Sequence, residues 1–280
     1  MALNSINTNV GAMIALQSLN AINRELAVVQ NRISTGLKIA SARDNPAVWA
    51  IAQGQRSQIM ALDSVKDSLQ RGQSTVDVAI SAGETISDLL NQMKAKAVAA
   101  ADVSLDADAR ADLNNDFVAL RDQIQKTIDS ASFNGMNLLK TAATPLYALA
   151  SADGLQRLTV RAQPMGLGSG AAGSIITFTV GASFATATAA SNLIGALNAS
   201  ITNVNRAVAS LGTGYKALDT HLGFIGKLQD TLTAGIGNLV DADVAKESAR
   251  LQALQIRQQL AIKALSIANS SASMLLQLFQ

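Results

Sequence analysis

Few side chains in this 280-residue sequence have the type and spacing to do chemistry. Two acidic pairs come first, Asp106 with Asp108 and Asp241 with Asp243. Paired carboxylates suit acid–base work or Ca²⁺ binding. Acids at the start of a helix are also favoured by the helix dipole, and that is the better reading of both pairs. His221 is the single histidine, so no two-histidine metal motif exists. A pH-sensitive contact is one role for it; an ordinary residue on an outer helix is the preferred one. Gly166, Gly168, Gly170 and Gly173 do not lead from a strand into a phosphate-binding helix with a following lysine, so they read as a surface loop. Trp49 suits a ligand platform less well than an interface anchor. With no cysteine, disulfides, thiolate metal sites and thiol nucleophiles are excluded. No catalytic, cofactor-binding or metal site is expected, and no cofactor.

Charge and composition narrow the class further. Lys and Arg number 22 against 20 Asp and Glu, a net charge of +2, which lacks the basic footprint of a nucleic-acid binder. The apolar content rests on Ala, Leu, Ile and Val, with only 6 Phe, 2 Tyr and 1 Trp. That favours thin helical layers. Only 3 prolines leave room for very long helices. No signal peptide is readable at the start. The charge-free stretch 162–205 is rich in Gly, Ser, Thr and Asn, so membrane insertion is not expected.

The elements that would position any site are dominated by a seven-residue repeat. Leu19, Ile22, Leu26, Val29 and Ile33 alternate steps of three and four. So do residues from Leu62 through Leu69, Val76, Ile86 and Leu90 to Ala97, and a shorter run from Leu113 to Thr127. The pattern returns from Leu197 to Leu239 and again from Leu251 through Leu254 and Leu265 to Leu275 and Phe279. A repeat of 3.5 residues keeps one stripe facing a partner helix, as in a coiled coil.

The middle differs. Residues 141–190 hold three charges, two of the three prolines and six of the 19 glycines. Leu158, Val160 and Ala162 alternate with polar residues, as do Ile176, Phe178 and Val180; both runs predict short strands. Two helical arms therefore flank a small β-rich insertion and fold back on one another. The expected fold is mainly α, a long antiparallel coiled-coil or helical-bundle rod with both termini at one end. Breaks are expected at Gly36, at Asn45-Pro46 (N-cap, then proline at the first helical position) and around Ser104 to Asp108. Gly135 is expected to cap the last helix of the first arm.

Both ends are apolar on more than one face. Val10, Met13, Ile14, Leu16 and Val28 lie off the first stripe, and Ile256, Leu260, Ile262 and Ile267 off the last. A helix of that kind needs more than one partner. The last 17 residues, Ala264 to Gln280, carry no charged side chain, so neighbouring subunits suit them better than a membrane surface.

The start "INTNVGAMIALQSLN" with "QNRISTGLKIASARDNPAVWAIA", and the end from Gly237 to Phe279, resemble the two terminal segments of bacterial flagellin. "FNGMNLL", Phe133 to Leu139, resembles the flagellin element where the helical arm gives way to a β-hairpin. The compact size and Ala217 to Leu222 resemble alphaproteobacterial flagellins of the stalked-bacterium type. The resemblance implies three parts: an inner coiled coil from 1–45 and 236–280, an outer helical rod from 46–140 and 190–235, and a surface insertion at 141–189. It implies a structural subunit, not an enzyme, that polymerises with itself into the extracellular flagellar filament for swimming. Implied partners are an export chaperone and gate, and the hook-associated junction and cap proteins. Filament contacts are expected at Leu19, Ile22, Leu26, Val29, Ile33, Leu251, Leu254, Leu265, Leu275 and Phe279, and a hinge at Gly36, Asn45 and Pro46. O-glycosylation, frequent in such flagellins, would fall on Thr177, Thr179, Ser183, Thr186 or Thr188.

Two departures matter. Where many members run from Asp-Asp or Asp-Asn into Ala-Ala-Gly, this chain has Asp44, Asn45, Pro46, Ala47 and Val48, and the proline should stiffen the junction. Flagellins that the innate immune receptor recognises resemble "RVRELAVQSA"; here Gln92, Ala95 and Lys96 replace the leading Arg, the Glu and the Leu. Loss of such anchors predicts weak or no receptor recognition. The rivals are a hook–filament junction protein and a secreted coiled-coil adhesin.

Overall fold

The computed structural model describes residues 8–168 and 175–277, apart from the side chains of 271–277. Its elements are α1 (Val10–Thr35), α2 (Pro46–Ala100), α3 (Ala107–Ser130), β1 (Leu146–Leu149), β2 (Arg157–Val160), α4 (Ala187–Val240) and α5 (Val244–Gln277). Two helices reach 55 and 54 residues, as the near-absence of proline allows. The chain forms two compact units, Met1–Ser57 with Asp230–Gln280, and Gln58–Gln229.

In the second unit, α2 and α4 run antiparallel with an even register. Gln229 donates to Asp63 at 2.7 Å, Gln73 to Asp219 at 3.3 Å, and Ser87 to Asn205 at 2.8 Å. Each step forward on α2 is matched by an equal step back on α4. The heptad stripe of α2 is buried along its whole length, from Leu62 and Leu69 through Ile86 and Leu90 to Ala97. Gly83 is needed for the approach: a Cβ there would lie 2.6 Å from Val208 Cγ2.

Helix α3 folds back on α2. Asp106 caps it by accepting from Ala109 N at 2.6 Å, and Asp108 sits in its first turn. Arg110 closes the preceding turn by donating to the carbonyls of Ala100, Asp102 and Leu105. Phe117, Ile124 and Ile128 are buried. The helix ends at Ser130 with Ala131 as C-cap, so Gly135 does not cap it. Asn134 (φ 49°) and Gly135 (φ 79°) instead form a two-residue turn in which Phe133 and Met136 exchange both backbone bonds at 2.9 Å. Asn-Gly with both φ positive is the preferred chemistry of that hairpin turn.

β1 and β2 pair antiparallel, Leu146 opposite Val160 and Leu149 opposite Arg157. Leu146, Ala148 and Val160 turn inward onto the helices. Gly214 on α4 makes room, since a Cβ there would lie 2.7 Å from Val160 Cγ1. The strand expected at Ile176, Phe178 and Val180 does not form. Ile176 and Phe178 are buried, but the backbone bonds to helix side chains: Thr177 N donates to Ser200 Oγ at 3.0 Å, and Asn203 Nδ2 to the Ile175 carbonyl at 3.3 Å. Alternating burial comes from lying on a helix surface, and among the described residues no strand pairs with the segment. Phe184 closes the segment edge-on to Phe117, centroids 5.1 Å apart.

Candidate assembly surface on the terminal helices

The first unit is built on far less. α1 packs along α5 in antiparallel fashion. Asn9 caps α1, accepting from Ala12 N at 3.0 Å, and its amide donates to the Ala268 carbonyl at 2.7 Å. Midway, Gln258 donates to Asn23 at 2.7 Å. Arg32 pairs with Glu247 at 3.1 Å, while Arg250 and Glu25, both exposed, stand 3.8 Å apart and contribute little. The seam is the heptad stripe: Leu19, Ile22, Leu26 and Ile33 are half-buried and Val29 is buried; Leu251 and Leu265 are half-buried and Leu254 is buried. These eight residues, expected to make filament contacts, lie on the face that each helix turns toward its partner within the chain. Phe279 and the side chain of Leu275 fall outside the described residues.

Opposite the seam, each helix carries a second, largely apolar stripe that no other described residue covers. On α1 it runs through Val10, Ile14, Gln17, Ala21 and Val28, with Met13 and Leu16 beside it; Val10 is 53% and Ile14 62% exposed. On α5 it runs through Ile256, Leu260 and Ile267, the last 69% exposed, with the charged Lys263 interrupting it. Spacing of three and four puts each set on one face. Large contiguous apolar surface of this kind marks an interaction site. No charged side chain occurs among residues 1–23 or 264–280, so the exposed stripes end in charge-free segments.

The expected junction residues have distinct geometries. Gly36 ends α1 with φ +70°, the left-handed conformation that favours glycine. Asn45 Oδ1 accepts from Val48 N at 3.2 Å, with Pro46 opening α2. Between them, Asp44 accepts from Ser41 N at 2.9 Å and Ala40 N at 3.0 Å. The Ser41 backbone bond is the main reason its carboxyl is held below the usual 3.8. The two linkers are stitched together: Lys38 N and Ile39 N donate to the Val240 carbonyl, and Ala242 N to that of Gly36. Asp243 caps α5, accepting from Lys246 N at 3.1 Å. Trp49 is half-buried.

Elsewhere, His221 Nε2 lies 2.7 Å from the Ala150 carbonyl oxygen and its ring faces Phe224, tying α4 to the end of β1. Gly166 and Gly168 sit in irregular chain; Gly170 and Gly173 lie outside the described residues. Of the hydroxyls expected to carry glycans, that of Thr177 donates to the Ala196 carbonyl at 2.9 Å and that of Thr186 caps α4. Thr179, Ser183 and Thr188 are exposed.

Residues 6–144 match the bacterial flagellin N-terminal helical region, and residues 194–279 the C-terminal helical region. The chain belongs to the bacterial flagellin family. It is similar to flagellin FljK of Caulobacter vibrioides, with 54% identity over 280 residues and 100% of both chains covered. It is also similar to a flagellin of Brucella melitensis, with 37% identity over 290 residues and 99% of both covered. A solved protein of Vibrio parahaemolyticus described as flagellar hook-associated shares the fold, with a TM-score of 0.53, 14% identity, and 71% of this chain and 100% of that one covered. This flagellin is a structural subunit of the flagellar filament, in a family of structural proteins. Among the described residues, no helix is long and apolar enough to cross a membrane.

Proposed function

We propose that this flagellin joins a growing filament by burying the outer stripes of α1 and α5 against other copies of itself. The observation that carries the reading is their direction. Within the pair, the seam joins the helices and the two open stripes face away from each other. A surface of α1 that meets a surface of α5 on another copy is a heterologous contact, and such contacts generate open helical polymers when the rotation between copies does not close a ring. In this reading the seam residues, Leu19 to Ile33 and Leu251 to Leu265, hold the pair in the shape that presents those stripes, and Gly36, Asn45 and Pro46 set the junction. The inner coiled coil comprises 1–45 and 236–280, the outer rod 46–140 and 190–235, and the filament surface 141–189.

The wider role follows the family. The subunit passes through the flagellar secretion channel with an export chaperone and gate, and is inserted beneath the cap beyond the hook-associated junction proteins. It functions outside the cell as the swimming filament and catalyses no reaction. O-glycans fall on Thr179, Ser183 or Thr188, whose side chains are exposed. Receptor recognition is weak: Gln92 and Ala95 are exposed without the Arg and Glu of recognised members, and Lys96 is held by Asp116 at 2.6 Å.

Seeded elongation tests this reading. Purified monomer added to short filament fragments should lengthen them, and protein truncated at both ends should stay soluble. Full-length protein that caps the seeds without lengthening them would make it a junction protein instead.

A further inference from the structure

The outer stripe of α1 contains a side chain whose chemistry the filament role does not use. Met13 is 60% exposed, beside Val10 and Ile14. Of the other methionines with described side chains, Met93 and Met165 are 0% exposed, Met136 is half-buried, and Met60, 66% exposed, belongs to the other unit. Exposed thioethers are oxidised far more readily than packed ones, and the sulfoxide is polar and chiral where the thioether was apolar and flexible. The start of α1 itself supplies no charged group to meet a new dipole, because the first ionisable side chain of that helix is Arg24. Buried without a partner, the sulfoxide oxygen would keep its full desolvation cost.

We propose that Met13 is an oxidation-sensitive assembly site, at which a peroxide disables the free subunit before it joins the filament. The step is a two-electron oxygen transfer from hydrogen peroxide. The sulfur lone pair attacks one peroxide oxygen, the O–O bond breaks and an S–O bond forms. The proton on the transferred oxygen passes to the departing hydroxide, which leaves as water. Sulfur is oxidised and peroxide reduced. In the filament the same face is covered, so the reaction selects unassembled chains. This inference rests on the outer stripe being a contact surface between copies.

The test is seeded elongation after mild hydrogen peroxide treatment of full-length monomer, with peptide mass spectrometry to follow the oxygen added at Met13. Treated wild-type protein should elongate seeds about tenfold more slowly or worse, from the cost of one unpaired buried polar group. Met13→Leu should elongate at the same rate before and after treatment, Met60→Leu should be arrested like the wild type, and methionine sulfoxide reductase should restore the treated wild type. Preformed filaments should take up oxygen at Met13 much more slowly than monomer. Normal elongation by protein fully oxidised at Met13, or arrest of treated Met13→Leu, overturns the proposal. Untreated Ile14→Asp separates the two levels. If it elongates normally, the contact surface itself is wrong; if it is arrested while oxidised wild type elongates, only the oxidation site is wrong.

Discussion

The α1–α5 pair and the α2–α4 pair carry the same heptad repeat and meet very different fates. Along α2, every stripe residue from Leu62 to Ala97 is buried. Along α1 and the described side chains of α5, only Val29 and Leu254 are. The difference lies in what covers them. The α2–α4 pair is roofed by α3, by the β1–β2 hairpin and by the segment holding Ile176, Phe178 and Phe184. The terminal pair has one partner helix each and apolar residues on two sides. A 3.5-residue repeat tells a helix which way to face; the number of layers decides how much water is removed.

The comparison can be broken most severely from the outside. Ile14→Asp or Leu260→Asp places a charge in the middle of an open stripe. Each should abolish seeded elongation while leaving the monomer's thermal midpoint unchanged, because those positions are exposed in the free chain. The next effect comes from cores. Leu90→Ala, at a position that is 0% exposed, should destabilise the second unit by about 2–5 kcal/mol, whereas Leu26→Ala at the half-buried seam should cost about 1 kcal/mol, both read by denaturant unfolding. Gly83→Ala should cost about 1–3 kcal/mol through its clash with Val208, and pairing it with Val208→Ala should recover most of the loss.

The smallest effect sharpens the junction. The Asp44 carboxyl is held below 3.8 mainly by the Ser41 backbone N–H, so its contribution is complete above that value and is lost as pH falls below it. Amide exchange at Ala40 and Ser41 should therefore quicken as the pH is lowered through that range, beyond the intrinsic trend. In Asp44→Asn, exchange at these amides should show no such extra step.

Much of this was legible in the sequence. The stripes are periodic over many turns, and Asn45-Pro46, Gly36 and Asp106 are local cap chemistry that tertiary contacts did not override. The second faces of the terminal helices were legible as well, because Val10, Ile14, Ile256 and Leu260 break a single-stripe pattern. The misses have physical causes. Ile176 to Val180 alternates like a strand, but Ile176 and Phe178 are buried while Val180 is exposed, and period two does not reveal whether the neighbour is a strand or a helix. β1 carries no alternation of polar and apolar residues, since Leu146, Tyr147, Ala148 and Leu149 are all apolar; its inward face, Leu146 and Ala148, packs beside Gly72 of α2. Gly135 is left-handed as expected, but Ser130 ends the helix earlier and the Asn-Gly pair makes its own turn. The heptad residues expected to make filament contacts lie, where described, on the stripe that each terminal helix turns toward its partner within the chain.

The central claim is that the outer stripes are open in the free subunit and covered in the filament. The native chain has no cysteine, so single thiols report cleanly. Ile14→Cys and Leu260→Cys should each react rapidly with a small alkylating reagent in the monomer and be strongly protected after seeded assembly. Equal labelling of monomer and filament at both positions would contradict the account.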